Sequence, residues 1–136
     1  MRYSTKCRYA LRLMMELALQ PAGESVSLNE ISQRQQISLK YLQQIVIPLT
    51  KAGLVSSVRG SQGGYYLTKA PRQYTTGEIF RAVEGSLAPI PCLEVDDCPR
   101  RDGCRSRQFW AGLEQTVNTY LDGVTLADLL QQPGQL

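Results

Sequence analysis

The chain has 136 residues, 43% of them hydrophobic, with 15 Lys or Arg against 12 Asp or Glu. This length fits one domain with an appendage, or a domain that completes its core by dimerising. No stretch approaches 18 consecutive apolar residues, and charges interrupt the N-terminal apolar region, so neither a membrane span nor a signal peptide is expected. We therefore expect a cytoplasmic protein, in which four cysteines indicate metal or redox chemistry rather than a disulfide framework.

The positive charge is concentrated in the first half of the chain. Residues 1–72 contain ten basic and three acidic side chains, a net charge of +7, whereas the remaining residues carry a net charge of −4. This asymmetry indicates that the first half meets a polyanion. Random scatter of surface charge is the alternative, so the interpretation depends on the motifs that follow.

The first predicted helix carries apolar residues at a spacing of three or four. Ser4 or Thr5 can cap its N-terminus, and Pro21 with Gly23 ends it. Cys7 lies in the first turn, where the helix dipole and neighbouring basic residues favour a thiolate.

The next segment predicts a helix-turn-helix motif. A capping box from Ser27 to Glu30 begins a short helix, and after a tight turn Ser38 caps a second helix with apolar residues on one face. Pro48 lies inside the second helix and removes one backbone hydrogen bond, so we expect a bend or an early loosening there. Two short helices joined by a tight turn form a helix-turn-helix.

A β-hairpin is predicted directly after this motif. Residues 54–59 and 65–68 have strand character, and the glycine-rich residues 60–64 can form the hairpin loop. A hairpin in this place is the wing of a winged helix, and Arg59 at its tip can enter a minor groove.

These elements together predict DNA binding. The N-terminal part of a recognition helix enters the major groove, where Gln can pair with adenine and Lys can reach guanine or phosphate. A solvated helix face or a protein-interaction module is the alternative. The predicted base contacts in the helix are Ser38, Lys40, Tyr41, Gln43 and Gln44, and the predicted phosphate contacts are Arg2, Lys6, Arg8, Lys51 and Lys69.

The C-terminal part contains a long amphipathic helix with Trp110, Leu113, Val117, Leu121 and Val124 on one side. This stripe would stay exposed unless something covers it, and a second copy of the chain is the simplest cover. Packing against the chain's own winged domain is the alternative.

The predicted fold is mainly α with a small β-hairpin: a winged helix-turn-helix plus a long dimerisation helix. Thr75 caps a further helix before the cysteine segment, and Thr125 caps a last short one. We expect a DNA-binding domain in residues 1–85, a cysteine loop in residues 86–105, and the dimerisation helix with its tail in residues 106–136.

Three cysteines, Cys92, Cys98 and Cys104, lie at even spacing on a polar segment that has too little apolar surface to form a buried helix or strand. A disulfide or redox switch, a zinc site and an iron–sulfur cluster are all open. Zinc sites usually contain paired C-x2-C motifs, whereas iron–sulfur ligation tolerates looser spacing. Since the chain has no histidine, the fourth ligand would be an exogenous group, Cys7, or one of the carboxylates Glu94, Asp96, Asp97 and Asp102.

Four stretches of the chain resemble the winged-helix regulators that include IscR, NsrR and CymR. They are RYSTKCRYALRLMMELAL, ISLKYLQQIVIPLTKAGLVSSVRGSQGGYYL, TTGEIFRAVEG, and the cysteine loop followed by FWAGL. The resemblance implies a homodimer on a palindromic DNA operator. It also implies that Cys92, Cys98 and Cys104 hold a cluster whose state changes DNA affinity or site preference.

The fourth ligand departs from both patterns known in these regulators. Arg107 stands where some members have a histidine, and Arg8 stands where others have an acidic residue. We hypothesise that Cys7, from the partner subunit, completes a two-iron two-sulfur cluster, with a four-iron four-sulfur cluster or no cluster as alternatives. Cys7 could instead be a small buried residue.

Two other functions stay open beside this one. A cluster-free regulator of sulfur or cysteine metabolism would respond to thiol oxidation or to a partner protein. A winged-helix protein-interaction module would bind no DNA. With no histidine and no nucleophile–base pair in view, an enzyme is not expected.

Overall fold

A computed structural model describes residues 2–136 and confirms a mainly helical fold with one small hairpin. Two short 3-10 turns are also present: Pro71–Gln73 follows the hairpin, and Pro91–Leu93 lies in the cysteine segment. The main elements are α1 (Thr5–Ala18), α2 (Leu28–Gln35), α3 (Leu39–Lys51), β1 (Val55–Val58), β2 (Gly64–Leu67), α4 (Thr76–Glu84), α5 (Arg105–Gly123) and α6 (Leu126–Leu130).

Short polar side chains begin five of the helices, as the sequence predicts. Each accepts a hydrogen bond from the backbone N–H three residues further on, which satisfies a donor that the helix leaves free. Three of these caps are complete capping boxes, in which an acidic side chain bonds back to the cap residue. The capping residues are Ser4, Ser27, Ser38, Thr75 and Thr125.

Of the two outcomes expected at Pro48, the early loosening of α3 is wrong, and the bend stays a prediction. The helix continues to Lys51, and the N–H of Ala52 donates to the carbonyl of Pro48 at 3.0 Å. Proline removes only the bond to the Gln44 carbonyl, while fully buried Leu49 holds the last turn against the core.

The turn between α2 and α3 is fixed by side chains as well as by its backbone. Gln36 adopts a left-handed conformation with φ 54°, and the Ser32 hydroxyl donates to the carbonyl of buried Ile37 at 2.5 Å. From α1, Arg12 donates to the side-chain oxygen of Gln35 at 2.8 Å and to its carbonyl at 2.6 Å. Helix α1 therefore sets the angle at which α3 leaves the turn.

The wing is an antiparallel hairpin in which Val55 pairs with Leu67 and Val58 pairs with Gly64. Its strands lie within one residue of the predicted bounds. Val26 forms an isolated bridge with Tyr65 through two 2.9 Å hydrogen bonds, which holds the segment before α2 against β2. A Cβ at Gly64 would lie 2.4 Å from the Val26 carbonyl oxygen, so this close approach requires glycine.

A single apolar core joins both ends of the chain. Leu13 of α1, Leu42 of α3, Ile79 of α4 and Leu126 of α6 are all fully buried in it. The segment after α5 therefore returns to the winged domain and completes its core. The three-part division of the chain stays a prediction.

The C-terminal end of α5 is fastened to α4. The Thr76 hydroxyl donates to the Leu121 carbonyl at 2.7 Å, and Arg81 forms two hydrogen bonds with Asp122 at 2.7 and 3.1 Å. A Cβ at Gly77 would lie 2.0 Å from an Asp122 carboxylate oxygen, so the absence of a side chain there permits the pair. Packing against the chain's own domain thus holds this end of α5.

Tyr74 connects the base of the wing to the end of α5. Its side chain is fully buried; its hydroxyl donates to the Leu54 carbonyl at 2.6 Å and accepts from the N–H groups of Thr68 at 2.8 Å and Lys69 at 3.2 Å. Its own carbonyl accepts from the N–H of Leu126 at 3.1 Å. One residue therefore ties together both wing strands and the junction between α5 and α6.

Replacing Tyr74 with Phe is expected to lower the free energy of unfolding by about 2–4 kcal/mol, because backbone groups lose their partner in a buried place. Urea denaturation followed by circular dichroism measures the change. Tyr66→Phe is the matched control, since Tyr66 lies on β2 with its side chain only half-buried, and it should leave stability unchanged. Equal stability of the two variants would contradict this role of Tyr74.

Candidate functional site: nucleic-acid interface and cysteine loop

The outward face of α3 presents the polar side chains that the sequence predicts. Lys40, Gln43 and Gln44 are exposed, while the apolar side of the helix is buried in the core. Ser38 is exposed too, and its hydroxyl oxygen accepts from the N–H of Tyr41 at 3.1 Å. Ser38 therefore begins the helix, and its hydroxyl proton remains available for a ligand.

Tyr41 is more deeply packed than the other predicted base contacts. It is half-buried against the core and meets Tyr9 of α1 edge-on, with ring centroids 5.5 Å apart and planes at 86°. The Arg12 guanidinium lies over the Tyr9 ring at 5.4 Å. Tyr41 thus joins α3 to α1 as well as lining the edge of the outward face.

Arg59 is exposed directly after β1, at the start of the wing loop. The loop turns sharply: Gly60 has φ 118°, and a Cβ at Gly63 would lie 2.1 Å from the Val58 carbonyl oxygen. Small residues at the tip keep steric bulk low beside Arg59.

The predicted phosphate contacts differ in their exposure and in their pairing with other side chains. Arg2, Lys6 and Arg8 are exposed around the start of α1. Lys69 instead pairs with Glu78 at 2.9 Å and lies 4.8 Å from the ring centroid of Tyr74. Intramolecular contacts therefore engage Lys69, which makes it the weakest phosphate candidate of the set. Lys51 is exposed at the end of α3.

The cysteine segment forms a chain of tight turns on the surface. Cys92 lies in the 3-10 turn Pro91–Leu93, Cys98 begins a turn closed by the N–H of Arg101 at 3.1 Å, and Cys104 is the residue before α5. Cys92 and Cys98 are exposed and Cys104 is half-buried, and all three are free thiols. An ion pair between Asp96 and Arg101 at 3.3 Å closes the loop further.

Within residues 2–136, no three Cys, Asp, Glu or His side chains are close enough together to hold a metal ion. The three loop cysteines therefore supply suitable soft donors without forming a preassembled site in one chain. A cluster would require the surface loop to close around it.

Cys7 is fully buried in the core of the winged domain. Burial, followed by the nearby Glu84 carboxylate, raises the pKa of Cys7 to about 12. The predicted thiolate character is therefore wrong, because burial and the neighbouring Glu84 carboxylate both disfavour the charged form. Glu84 also accepts hydrogen bonds from the backbone and hydroxyl of Ser4, so it belongs to the cap of α1.

The sequence analysis does not identify two residues that matter to these sites, Glu84 and Ile47. Glu84, at the end of α4, meets the start of α1 only through the tertiary fold. Ile47 is 64% exposed on the outward side of α3. The sequence could have predicted this position, because Ile47 follows Gln43 by four residues and Gln44 by three, so all three share one side of the helix.

Comparisons with known proteins confirm the resemblance. The family model Rrf2, described as "Iron-dependent Transcriptional regulator", matches residues 3–132. The chain is 42% identical over 129 residues to the transcriptional regulator CymR of Bacillus subtilis, covering 95% of this chain and 89% of that protein. It is 38% identical over 130 residues to IscR of Yersinia enterocolitica, covering 96% and 79%. The solved structure of CymR, titled the global cysteine regulator of B. subtilis, gives a TM-score of 0.79 at 39% identity and covers 95% of each chain.

The raised pKa of Cys7 predicts a specific loss of stability at alkaline pH. The buried neutral thiol favours the folded state, so its contribution is complete below the ordinary pKa of 9.0 and is lost as pH rises towards about 12. Between those values, wild-type stability should fall relative to Cys7→Ala by at most about 1.4 kcal/mol per pH unit. Urea unfolding of both proteins from pH 8 to 11 measures the difference, and parallel pH profiles would contradict the shift.

Proposed function

Because the chain belongs to the Rrf2 family of transcriptional regulators, we propose that it is a homodimer that binds a palindromic DNA operator. The family is one of regulators and not of enzymes. The single observation that carries the proposal is the outward face of α3, which exposes Lys40, Gln43 and Gln44 beside a wing that ends at Arg59. The proposal places the chain in the cytoplasm with the chromosome. No helix within residues 2–136 has the length and apolar character of a membrane span.

The residues divide into base contacts and phosphate contacts. Ser38, Lys40, Tyr41, Gln43 and Gln44 meet base edges from the major groove, because they lie on the first two turns of the recognition helix. Arg59 enters the adjacent minor groove from the wing. Arg2 and Lys6 neutralise phosphates and so fix the position of the domain on the duplex.

The dimer is proposed to form through α5. Apart from its anchored end, this helix leaves a large apolar surface open: Phe109 is 64% exposed, Tyr120 is 71% exposed, and Trp110, Leu113 and Val117 are half-buried. A second copy of the same helix covers these side chains across a two-fold axis. Two-fold symmetry of the protein matches the symmetry of a palindromic operator.

The three loop cysteines are proposed to hold an iron–sulfur cluster. Cys92, Cys98 and Cys104 supply three thiol donors on a segment that is free to rearrange, since two of them are exposed. When bound, the cluster supplies a redox-sensitive and labile group. Because Cys104 immediately precedes α5, closure of the loop bears directly on the first turn of that helix.

Cys7 is the proposed fourth ligand, but two features of the structure oppose this role. It must leave the core, in which it is fully buried, and it must lose a proton held with a pKa of about 12. Glu94 and Asp102 are carboxylates of the loop that are already exposed, so they could bind the cluster without any rearrangement of the core. They are therefore the alternatives to Cys7 as the fourth ligand.

A cluster-free regulator is the second candidate, and the exposure of two loop thiols favours it. Cys92 and Cys98 are free thiols that lie exposed on the surface. The 42% identity to CymR fits a regulator of cysteine metabolism equally well. In that case exposed Cys92 and Cys98 would respond to oxidation directly.

DNA binding is tested on a duplex selected by the wild-type protein from a random-sequence library. Affinity should fall steeply with salt, and Lys6→Ala should reduce the slope of log K against log salt concentration by about one. Gln44→Ala should weaken binding by about 1–3 kcal/mol, because it removes one pair of hydrogen bonds to a base. Fluorescence anisotropy at several salt concentrations measures both effects.

Gln132→Ala is the matched control for Gln44→Ala, since Gln132 is exposed after α6 and lies on neither α3 nor α5. It should bind as the wild type does. If the wild-type protein selects no duplex, or if its affinity is independent of salt, the chain is an interaction module and the proposal fails.

The cluster is tested by anaerobic purification with iron and sulfide analysis and a visible absorption spectrum. The wild type should be coloured, and Cys92→Ala should lose most of its iron, because a thiol donor is removed. Cys7→Ala and Asp102→Ala should be compared for stoichiometry and lability. An unchanged spectrum removes the tested residue from the ligand set, and a colourless, iron-free wild type supports the cluster-free alternative.

A further inference from the structure

The outward face of α3 carries one large apolar side chain that the proposed roles leave unused. Ile47 is 64% exposed, whereas Leu42, Ile45, Val46 and Leu49 of the same helix are buried. Isolated apolar side chains are ordinary on protein surfaces. The position of Ile47 is what distinguishes it.

Ile47 lies in the row of polar side chains that faces away from the core. It follows Gln43 by four residues and Gln44 by three, and it precedes Lys51 by four, so all four share one side of the helix. Gln43, Gln44 and Lys51 are exposed as well. Any macromolecule that contacts the two glutamines therefore comes within reach of Ile47.

Local preferences do not explain an isoleucine in this place. A β-branched side chain forms helices less readily than Gln or Lys, and the residue before a proline, here Pro48, is disfavoured in helical backbone. Exposure also forgoes the hydrophobic stabilisation that burial would give. These costs are offset if a ligand covers the side chain.

We propose that Ile47 recognises the 5-methyl group of a thymine in the major groove. Thymine is the DNA base that presents an apolar group on that edge, and its partner adenine presents the donor and acceptor that Gln pairs with. An isoleucine in a helix is held in one dominant rotamer, so the contact costs little conformational entropy. The inference rests on the proposed DNA binding and adds a base-specifying residue to it.

The test replaces each thymine of the selected duplex, one at a time, by deoxyuridine, which lacks only the methyl group. At one thymine in each half-site, the wild type should bind the deoxyuridine duplex about fourfold more weakly, the effect expected for one buried methyl-sized group. Ile47→Ser should bind the two duplexes equally, and Ile47→Val should keep part of the difference.

Leu19→Ser is the matched control, because Leu19 is a 55% exposed apolar residue outside α3. It should keep the full wild-type difference between thymine and deoxyuridine. The inference is overturned if no thymine shows the difference in the wild type, or if Ile47→Ser retains it. A wild type that selects no duplex overturns the proposed function together with this inference, whereas tight binding with no thymine effect overturns this inference alone.

Discussion

The hydrogen bonds of Tyr74 are the interactions that fix the wing relative to the start of α6. The buried Tyr74 hydroxyl satisfies backbone groups at the start of β1 and at the end of β2, and the Tyr74 carbonyl bonds to Leu126 at the start of α6. In a buried place, each backbone group left without a partner costs about 1–3 kcal/mol. The wing therefore cannot shift relative to the start of α6 without breaking several of these hydrogen bonds.

A second polar network fixes α3, the proposed recognition helix, from the other side. Glu16 and Gln35 are buried, Gln35 donates to Glu16 at 2.7 Å, and Arg12 bonds to both the side chain and the carbonyl of Gln35. Since Gln35 is the last residue of α2, this network determines where the turn delivers α3. Recognition helix and wing are thus positioned by different contacts on one shared core.

Local features of this fold could be predicted from the sequence, and long-range ones could not. Ser27, Ser38 and Thr75 cap helices through atoms three residues away, so their role is visible in the sequence itself. The state of Cys7 depends on burial and on Glu84, which is 77 positions distant in the sequence and adjacent only in the fold. The engagement of Lys69 by Glu78 and Tyr74 is hidden for the same reason, because charge counting treats every surface lysine as free.

The candidate cluster site depends on a surface loop rather than on the shared core. The spacing of Cys92, Cys98 and Cys104 indicates a shared ligand, yet the turns of the loop hold the three thiols apart in a single chain. Thr76 and Arg81 of α4 hold α5 at Leu121 and Asp122, and the other end of α5 adjoins the loop. Closure of the loop would therefore act on the end of α5 that α4 does not hold. We propose that the state of this loop is communicated to DNA. The most direct test measures the dissociation constant of the anaerobically purified protein for one selected duplex, before and after iron is removed with a chelator. The account predicts that the two constants differ; equal constants with complete removal of iron would contradict it.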